Sequence, residues 1–392
     1  MRFLHRDGTT VHLSYSANVH PADTLDGLLG RLRAYGEPVR RRLGLERLGI
    51  GLWLAADTVR DLDATPRALA ALRGDLDRRG LEVVTLNGFP YQGFGGQRVK
   101  YRVYRPDWAQ AQRYEHTLAL ARILAALLPE DAAEGTISTL PLTWRTVYDD
   151  ERAARARTAL ADLGGRLDDL ADATGRSIRI ALEPEPGCAL ETTAEAIEPL
   201  RAIGHDRIGI CVDTCHLATS FEEPGPAFAA LAAAGIPVVK SQLSAALHAE
   251  HPDRPVVRAA LAAVGAHGES RFLHQTRSPA ADGLRGTDDL GPALAGGALP
   301  ETGPWRALFH VPLHATPAAP LTATLPVLNE ALAHLVGGER ALTGHLEVET
   351  YAWQALPPAL RPRTAEQLVD NIAAELSFAR DLLTEHGLKE LP

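Results

Sequence analysis

The chain has 392 residues, 45% of them hydrophobic, and 49 Asp and Glu against 40 Lys and Arg give a net charge of -9. That length supports one large core with elaborations, and the acidic balance excludes a broad nucleic-acid footprint, which needs clustered Lys and Arg. Three cysteines, Cys188, Cys211 and Cys215, are too few for a disulfide framework, and with no apolar leader and no run of about 18 apolar residues the expectation is a cytoplasmic protein with a small-molecule metabolite as partner, without nucleic acid or a membrane span.

In chain order, apolar strand candidates alternate with Ala-, Leu- and Arg-rich segments of helical spacing. A strand over 11–16 precedes a helix over 24–43, whose Arg40-Arg41-Arg42 run reads as a solvated helix end. Next come a strand over 48–54, a helix over 65–79, a strand over 82–86 and a helix over 106–128. A strand over 135–140, a helix over 150–174, a strand over 177–182 and a helix over 192–203 follow. Strands over 207–212, 237–243 and 344–348 and a last helix over 364–383 complete the series. Thr65-Pro66 and the Thr192–Glu195 spacing are helix-start signals, and Gly80 and Gly204 close their helices.

Eight strands alternating with helices predict a closed (β/α)8 TIM barrel rather than a doubly wound sheet. The glycine cluster Gly93-Phe94-Gly95-Gly96 leads into Lys100-Tyr101-Arg102 and not into a helix, so it is no dinucleotide fingerprint; it reads as a loop over the mouth. One interval breaks the rhythm. About 100 residues separate Leu243 from Gly344, where a βαβ step needs roughly 30 or more. It holds strand-like pieces at 271–276 and 307–314 around a Gly-, Pro- and Asp-rich stretch. Either an inserted β-hairpin lies between strands seven and eight, or 309–313 is the true seventh strand; the hairpin is the preferred reading. The chain is then one barrel domain over 1–392, with residues 244–340 inserted over its mouth.

On a barrel strand, alternate side chains point inward and the last inward residue opens at the mouth. Gly209, Cys211 and Asp213 form one such set, with His216 on the turn beyond. Glu183 ends the set of the fifth strand, and Glu349 ends the set of His345, Glu347 and Glu349. Three carboxylates and an imidazole converging in a low-dielectric mouth repel one another unless a divalent cation lies between them. The oxygen and nitrogen set suits Mn2+, Mg2+, Co2+ or Zn2+ without choosing among them. Singly, each residue has a plainer reading as a helix cap or loop residue; recurrence at three strand ends gives the set its meaning. Glu185 and Glu347 read as supporting residues. A thiolate zinc set of Cys211, Cys215 and His216 is disfavoured, because Cys211 points into the barrel while Cys215 lies past the strand.

These strings resemble the xylose-isomerase-like TIM barrels, which include sugar isomerases, sugar 3-epimerases and nucleases of the endonuclease IV type. More narrowly, Tyr15-Ser-Ala-Asn18-Val-His20-Pro, Leu86-Asn87-Gly-Phe-Pro, Leu273-His274-Gln, Phe309-His310-Val-Pro and Leu346-Glu-Val-Glu349-Thr-Tyr351-Ala-Trp353 resemble the EboE-like barrels associated with metabolite traffic. The resemblance implies metal ligands at Glu183, Asp213 and Glu349, with His216 helping. At strand seven the family's histidine is replaced by Lys240-Ser-Gln242-Leu-Ser; Gln242, or His310 or His274 from the insertion, would take that place. It further implies that Glu183 and Glu349 act as base and acid on a hydroxy-carbonyl metabolite, passing through an enediolate. Asn18, His20, Asn87, Tyr91, His274 and Tyr351 would bind substrate. The alternative is a degenerate barrel that handles a small prenylated or aromatic precursor. A nuclease role is disfavoured, since a trinuclear zinc site needs more His and Asp ligands than can be placed.

Overall fold

The computed structural model describes residues 1–94, 99–267 and 272–392; Gly95, Gly96 and Arg271 of the segments above lie outside these. Eight parallel strands form the barrel: β1 (Thr10–Ser16), β2 (Leu48–Trp53), β3 (the two pieces Leu81–Glu82 and Thr85–Asn87), β4 (Glu134–Thr139), β5 (Ser177–Leu182), β6 (Ile208–Asp213), β7 (Val238–Leu243) and β8 (His345–Val348). Each pairs with its sequence neighbour, and β8 pairs with both β7 and β1, so the ring closes. Closure leaves no open edge in the ring.

The expected strands appear within a residue or two of their predicted ends, except that β3 is interrupted at Val83 and Val84. The helical layer departs from expectation at two places. The segment over 24–43 is three pieces, Leu25–Arg31, a π turn Leu32–Gly36 and Glu37–Arg42. Pro38 lacks an N–H and crowds the carbonyl four residues back, which shifts the preceding turn to wider bonding. The helix expected from 106 begins at Ala111, because Asp107 builds a turn of its own with Ala109 and Gln110. Thr192 and Glu195 form the anticipated capping box, and Gly80 and Gly204 adopt the left-handed conformation at their helix ends. Arg41 and Arg42 pair with Glu37 and Asp370, and Arg40 bonds two backbone carbonyls, so the arginine run is a helix end. Two features carried no clear sequence signal: a helix Ala56–Ala64 after β2, and an antiparallel pair of short strands, Arg2–Leu4 and Lys389–Glu390, laid against β1.

Between β7 and β8 lies more than a hairpin. The hairpin Thr276–Ala280 with Gly283–Thr287 exists, but it belongs to a five-stranded antiparallel sheet with Trp305–Ala307, Leu247–Ala249 and Thr322–Ala323. Residues 309–313 are not a barrel strand. The helix Leu325–Leu335 that follows packs on Pro224–Ala233 in the outer layer of the barrel. Among the described residues no helix is long and apolar enough to cross a membrane.

The apolar core fills the space between strands and helices, while the barrel interior is polar. Between β6 and β7 the register shifts, so that Val238 opposes Ile210 and Lys240 opposes Cys211. This bulge leaves Val239 as an extra residue, and Lys240 reaches the interior. There Lys240 pairs with Glu347, both fully buried, and donates to Ser138 Oγ at 3.4 Å. Gly51 makes room for the pair: a Cβ at that position would lie 2.0 Å from Glu347 Oε1.

Candidate active site

The strand ends gather the predicted carboxylates at one mouth. Glu183 follows β5 directly and its N–H donates to the Thr139 carbonyl at 3.0 Å. Asp213 ends β6 and caps the short helix Thr214–Thr219: its Oδ1 accepts from the N–H groups of Cys215 (2.7 Å) and His216 (3.0 Å) and from Ser244 Oγ (2.7 Å). One carboxylate oxygen is thereby fixed, and the other, Oδ2, is buried with no donor. Glu183 Oε2 is in the same condition. Glu349, one residue past β8, is held by the Asn18 amide at 2.6 Å and the Asn87 amide at 3.4 Å.

Two imidazoles complete the floor. His216 Nδ1 lies 3.0 Å from the Pro184 carbonyl and 3.8 Å from Glu183 Oε1. His310 comes from the insertion, with Nδ1 3.0 Å from the Glu349 carbonyl and Nε2 3.9 Å from Asp213 Oδ2. Ligand atoms of Glu183, Asp213 and His216 lie within 4.8 Å of one another, as do those of Asp213, Cys215 and His310. Such a set can hold a divalent ion. Burial, then the neighbouring Glu349 and Asp213, push the Glu183 carboxyl well above the usual range. Burial and Asp213 likewise raise Glu349. Asp213 goes the other way: despite burial, the imidazoles of His216 and His310 and the bond from Ser244 hold it down. Two carboxyls raised beside one lowered is an arrangement suited to moving protons.

The remaining predicted residues divide. Asn18, Asn87 and Tyr351 line the cavity. His20 instead bonds Tyr15 and stacks on Tyr35, and Tyr91 packs on His116. His274 stacks on Phe309 with Nδ1 2.9 Å from the Leu308 carbonyl. Gln242 lies opposite Asp213 and Glu347 in the ladder, its Oε1 3.7 Å from Cys211 Sγ. Sequence reasoning missed Ser244, whose place just past β7 was a usable signal. It also missed Tyr104 and Gln275, which both bond Glu185 Oε1, at 2.7 and 2.9 Å, and join three separate loops. Gln275 stands in the Leu273-His274-Gln string, but no local pattern marks its bond to Glu185, and none marks Tyr104.

The sequence pattern of the xylose isomerase-like TIM barrels matches residues 41–263, more than half of the chain. The chain belongs to that family. No curated protein matches it in sequence. Among solved structures, the family fold recurs in the D-allulose 3-epimerase of Methylomonas sp. (12% identity, 97% of this chain and 99% of that one, TM-score 0.52). It recurs in a putative sugar phosphate isomerase/epimerase of Anabaena variabilis (15%, 96% and 99%, 0.51). The D-psicose 3-epimerase of Clostridium cellulolyticum H10, solved with D-tagatose, is comparable (13%, 95% and 99%, 0.50). At these identities the likeness is one of fold.

Proposed function

We propose that this barrel is a divalent-metal-dependent isomerase or epimerase of a sugar-like or other hydroxy-carbonyl metabolite. The observation that carries the reading is an opposition of acceptors across the floor. The Glu349 carbonyl only accepts, so the proton of a neutral His310 ring sits on Nδ1 and a lone pair on Nε2. That lone pair faces the donorless Asp213 Oδ2, with Glu183 Oε2 also donorless in the same site. Buried acceptors facing one another need a cation between them. Glu183, Asp213, Glu349, His216 and His310 would hold Mn2+, Mg2+, Co2+ or Zn2+, with Gln242 the less suited candidate. The bound ion would supply Lewis-acid polarisation of neighbouring substrate oxygens.

The chain's own residues would move the proton. Asn18 and Asn87 fix one oxygen of Glu349, so its other oxygen has a defined direction. One of Glu183 and Glu349 would take a proton from a substrate carbon as base, and the other would serve as acid. Return of a proton to the adjacent carbon gives an isomer; return to the opposite face gives an epimer. The sugar epimerases that share the fold support this substrate class by analogy.

Within the family, the segments around Tyr15, Leu86, Leu273, Phe309 and Leu346 resemble those of the EboE-like barrels. A degenerate barrel that hands on a prenylated or aromatic precursor is the second reading. The observation on its side is Gln242, whose amide oxygen faces the Cys211 thiol. Metal analysis after purification in added Mn2+ separates the two. One ion per chain, lost in Asp213→Asn, supports the enzyme; a metal-free protein overturns it and leaves the handling role.

A further inference from the structure

We infer that the ligand of this site is amphipathic: a hydroxy-carbonyl head on the polar floor, joined to a planar aromatic or compact apolar group beneath the roof. The inference rests on the metal-dependent reading of the floor and narrows the substrate class away from free polyhydroxy sugars.

Among the described residues, most polar groups of the cavity wall are already engaged, Asn18 Oδ1 being an exception. Asn18 and Asn87 hold Glu349, and Asn87 also accepts from the Phe89 N–H. Tyr104 and Glu185 bond each other, with Gln275 bonding both, and Lys100 pairs with Asp289. The donorless buried oxygens of Glu183 and Asp213 are on the floor. A ring bearing hydroxyls all round would therefore bury several of them against partners that are spent, and each unpaired one costs binding energy.

Beside these engaged groups the described wall is apolar: Phe89, Pro90, Phe94, Phe272, Leu273 and Leu308 line it. The aromatic rings form a continuous run. His310 stacks on Tyr351 at 4.7 Å, Tyr351 meets Phe272 at 5.4 Å, Phe272 meets Phe94 at 4.9 Å, and Phe94 meets Trp53 at 5.6 Å. Phe272 and Leu308 belong to the insertion, so the segment that supplies His310 to the floor also supplies part of the roof. A flat apolar group packed along these rings loses water from its apolar face, a gain that a polyol does not share.

The test compares three ligands on protein incubated with Mn2+, by calorimetry and by the relaxation of water protons by bound Mn2+: hydroxyacetone (the head alone), D-fructose, and 2-hydroxyacetophenone (the head with a phenyl group). The phenyl ketone is expected to bind at least about tenfold more tightly than hydroxyacetone, as burial of a small apolar group gives, with fructose no tighter than hydroxyacetone. Phe272→Ser and, separately, Phe94→Ser should remove most of that advantage and leave hydroxyacetone unchanged. Fructose binding more tightly than the phenyl ketone, or an equal loss for both ketones in the two variants, overturns the inference. Failure to take up Mn2+ overturns the metal reading instead, and the calorimetric comparison on the same protein still decides between apolar and polyol ligands.

Discussion

The Thr350 hydroxyl donates to Glu375 Oε1 at 2.5 Å, joining the residue after Glu349 to the long C-terminal helix Ala365–Glu385. The same oxygen accepts from the Leu313 N–H at 2.8 Å, three residues beyond His310. One buried carboxyl thus ties together the two segments that bring Glu349 and His310 to the floor. Glu375→Ala leaves both donors unmatched and should cost about 2 kcal/mol or more, and it should weaken Mn2+ binding; Glu375→Gln keeps the acceptor and should preserve that affinity. Urea unfolding and metal titration of the two variants check this.

The same residue predicts a pH dependence. Burial raises the Glu375 carboxyl from 4.5 to about 7, against the two donors that lower it. The folded protein therefore keeps a proton that the unfolded chain gives up above its lower pKa. That contribution to stability is complete below the unfolded pKa and is lost as pH rises through about 7. Glutamine carries no such loss. The stability of Glu375→Gln relative to the natural chain should rise between pH 5 and 8, measured by denaturant midpoints; a constant difference would refute the assignment.

Inside the barrel, Lys240 and Glu347 depend on each other. Lys240→Met leaves Glu347 buried without its cation and should cost about 3–5 kcal/mol, whereas combining it with Glu347→Gln should recover most of the loss. A double-mutant cycle in urea gives the coupling; additive losses would show that the pair is not the unit of stability.

Glycine substitutions should separate by what surrounds them. Gly51→Ala drives a methyl into Glu347 and should destabilise by about 1–3 kcal/mol. Gly165→Ala, in the helix Asp150–Thr174 with nothing near its Cβ, should stabilise by about 0.5–1 kcal/mol. Melting curves of the two proteins give opposite shifts if the packing is as described.

On the proposed metal-dependent reading, His310 and Gln242 are the two candidates for the strand-seven ligand. His310→Ala should lower Mn2+ affinity by about 10–100-fold, the range seen when groups around a metal are lost, and Gln242→Ala should leave it nearly unchanged. A reversed order would return the role to the strand.

The sequence by itself determined the barrel and three of its carboxylates. Strand and helix periodicities are local, and Glu183, Asp213 and Glu349 each sit where an apolar run ends, so alternation alone assigns their direction. Caps such as Thr192 with Glu195 are equally local. What only the tertiary structure decided depends on partners far apart in the chain. His310 reaches Asp213, 97 positions away, because an inserted sheet folds back over the mouth. The register shift between β6 and β7 turns Lys240 inward to Glu347, and Glu375 meets Thr350 and Leu313 through packing of the last helix. His20 and Tyr91 lie in plausible motifs, yet stacking on Tyr35 and His116 holds their rings elsewhere. A side chain's direction follows from its own strand, but its neighbours follow from how every other segment packs.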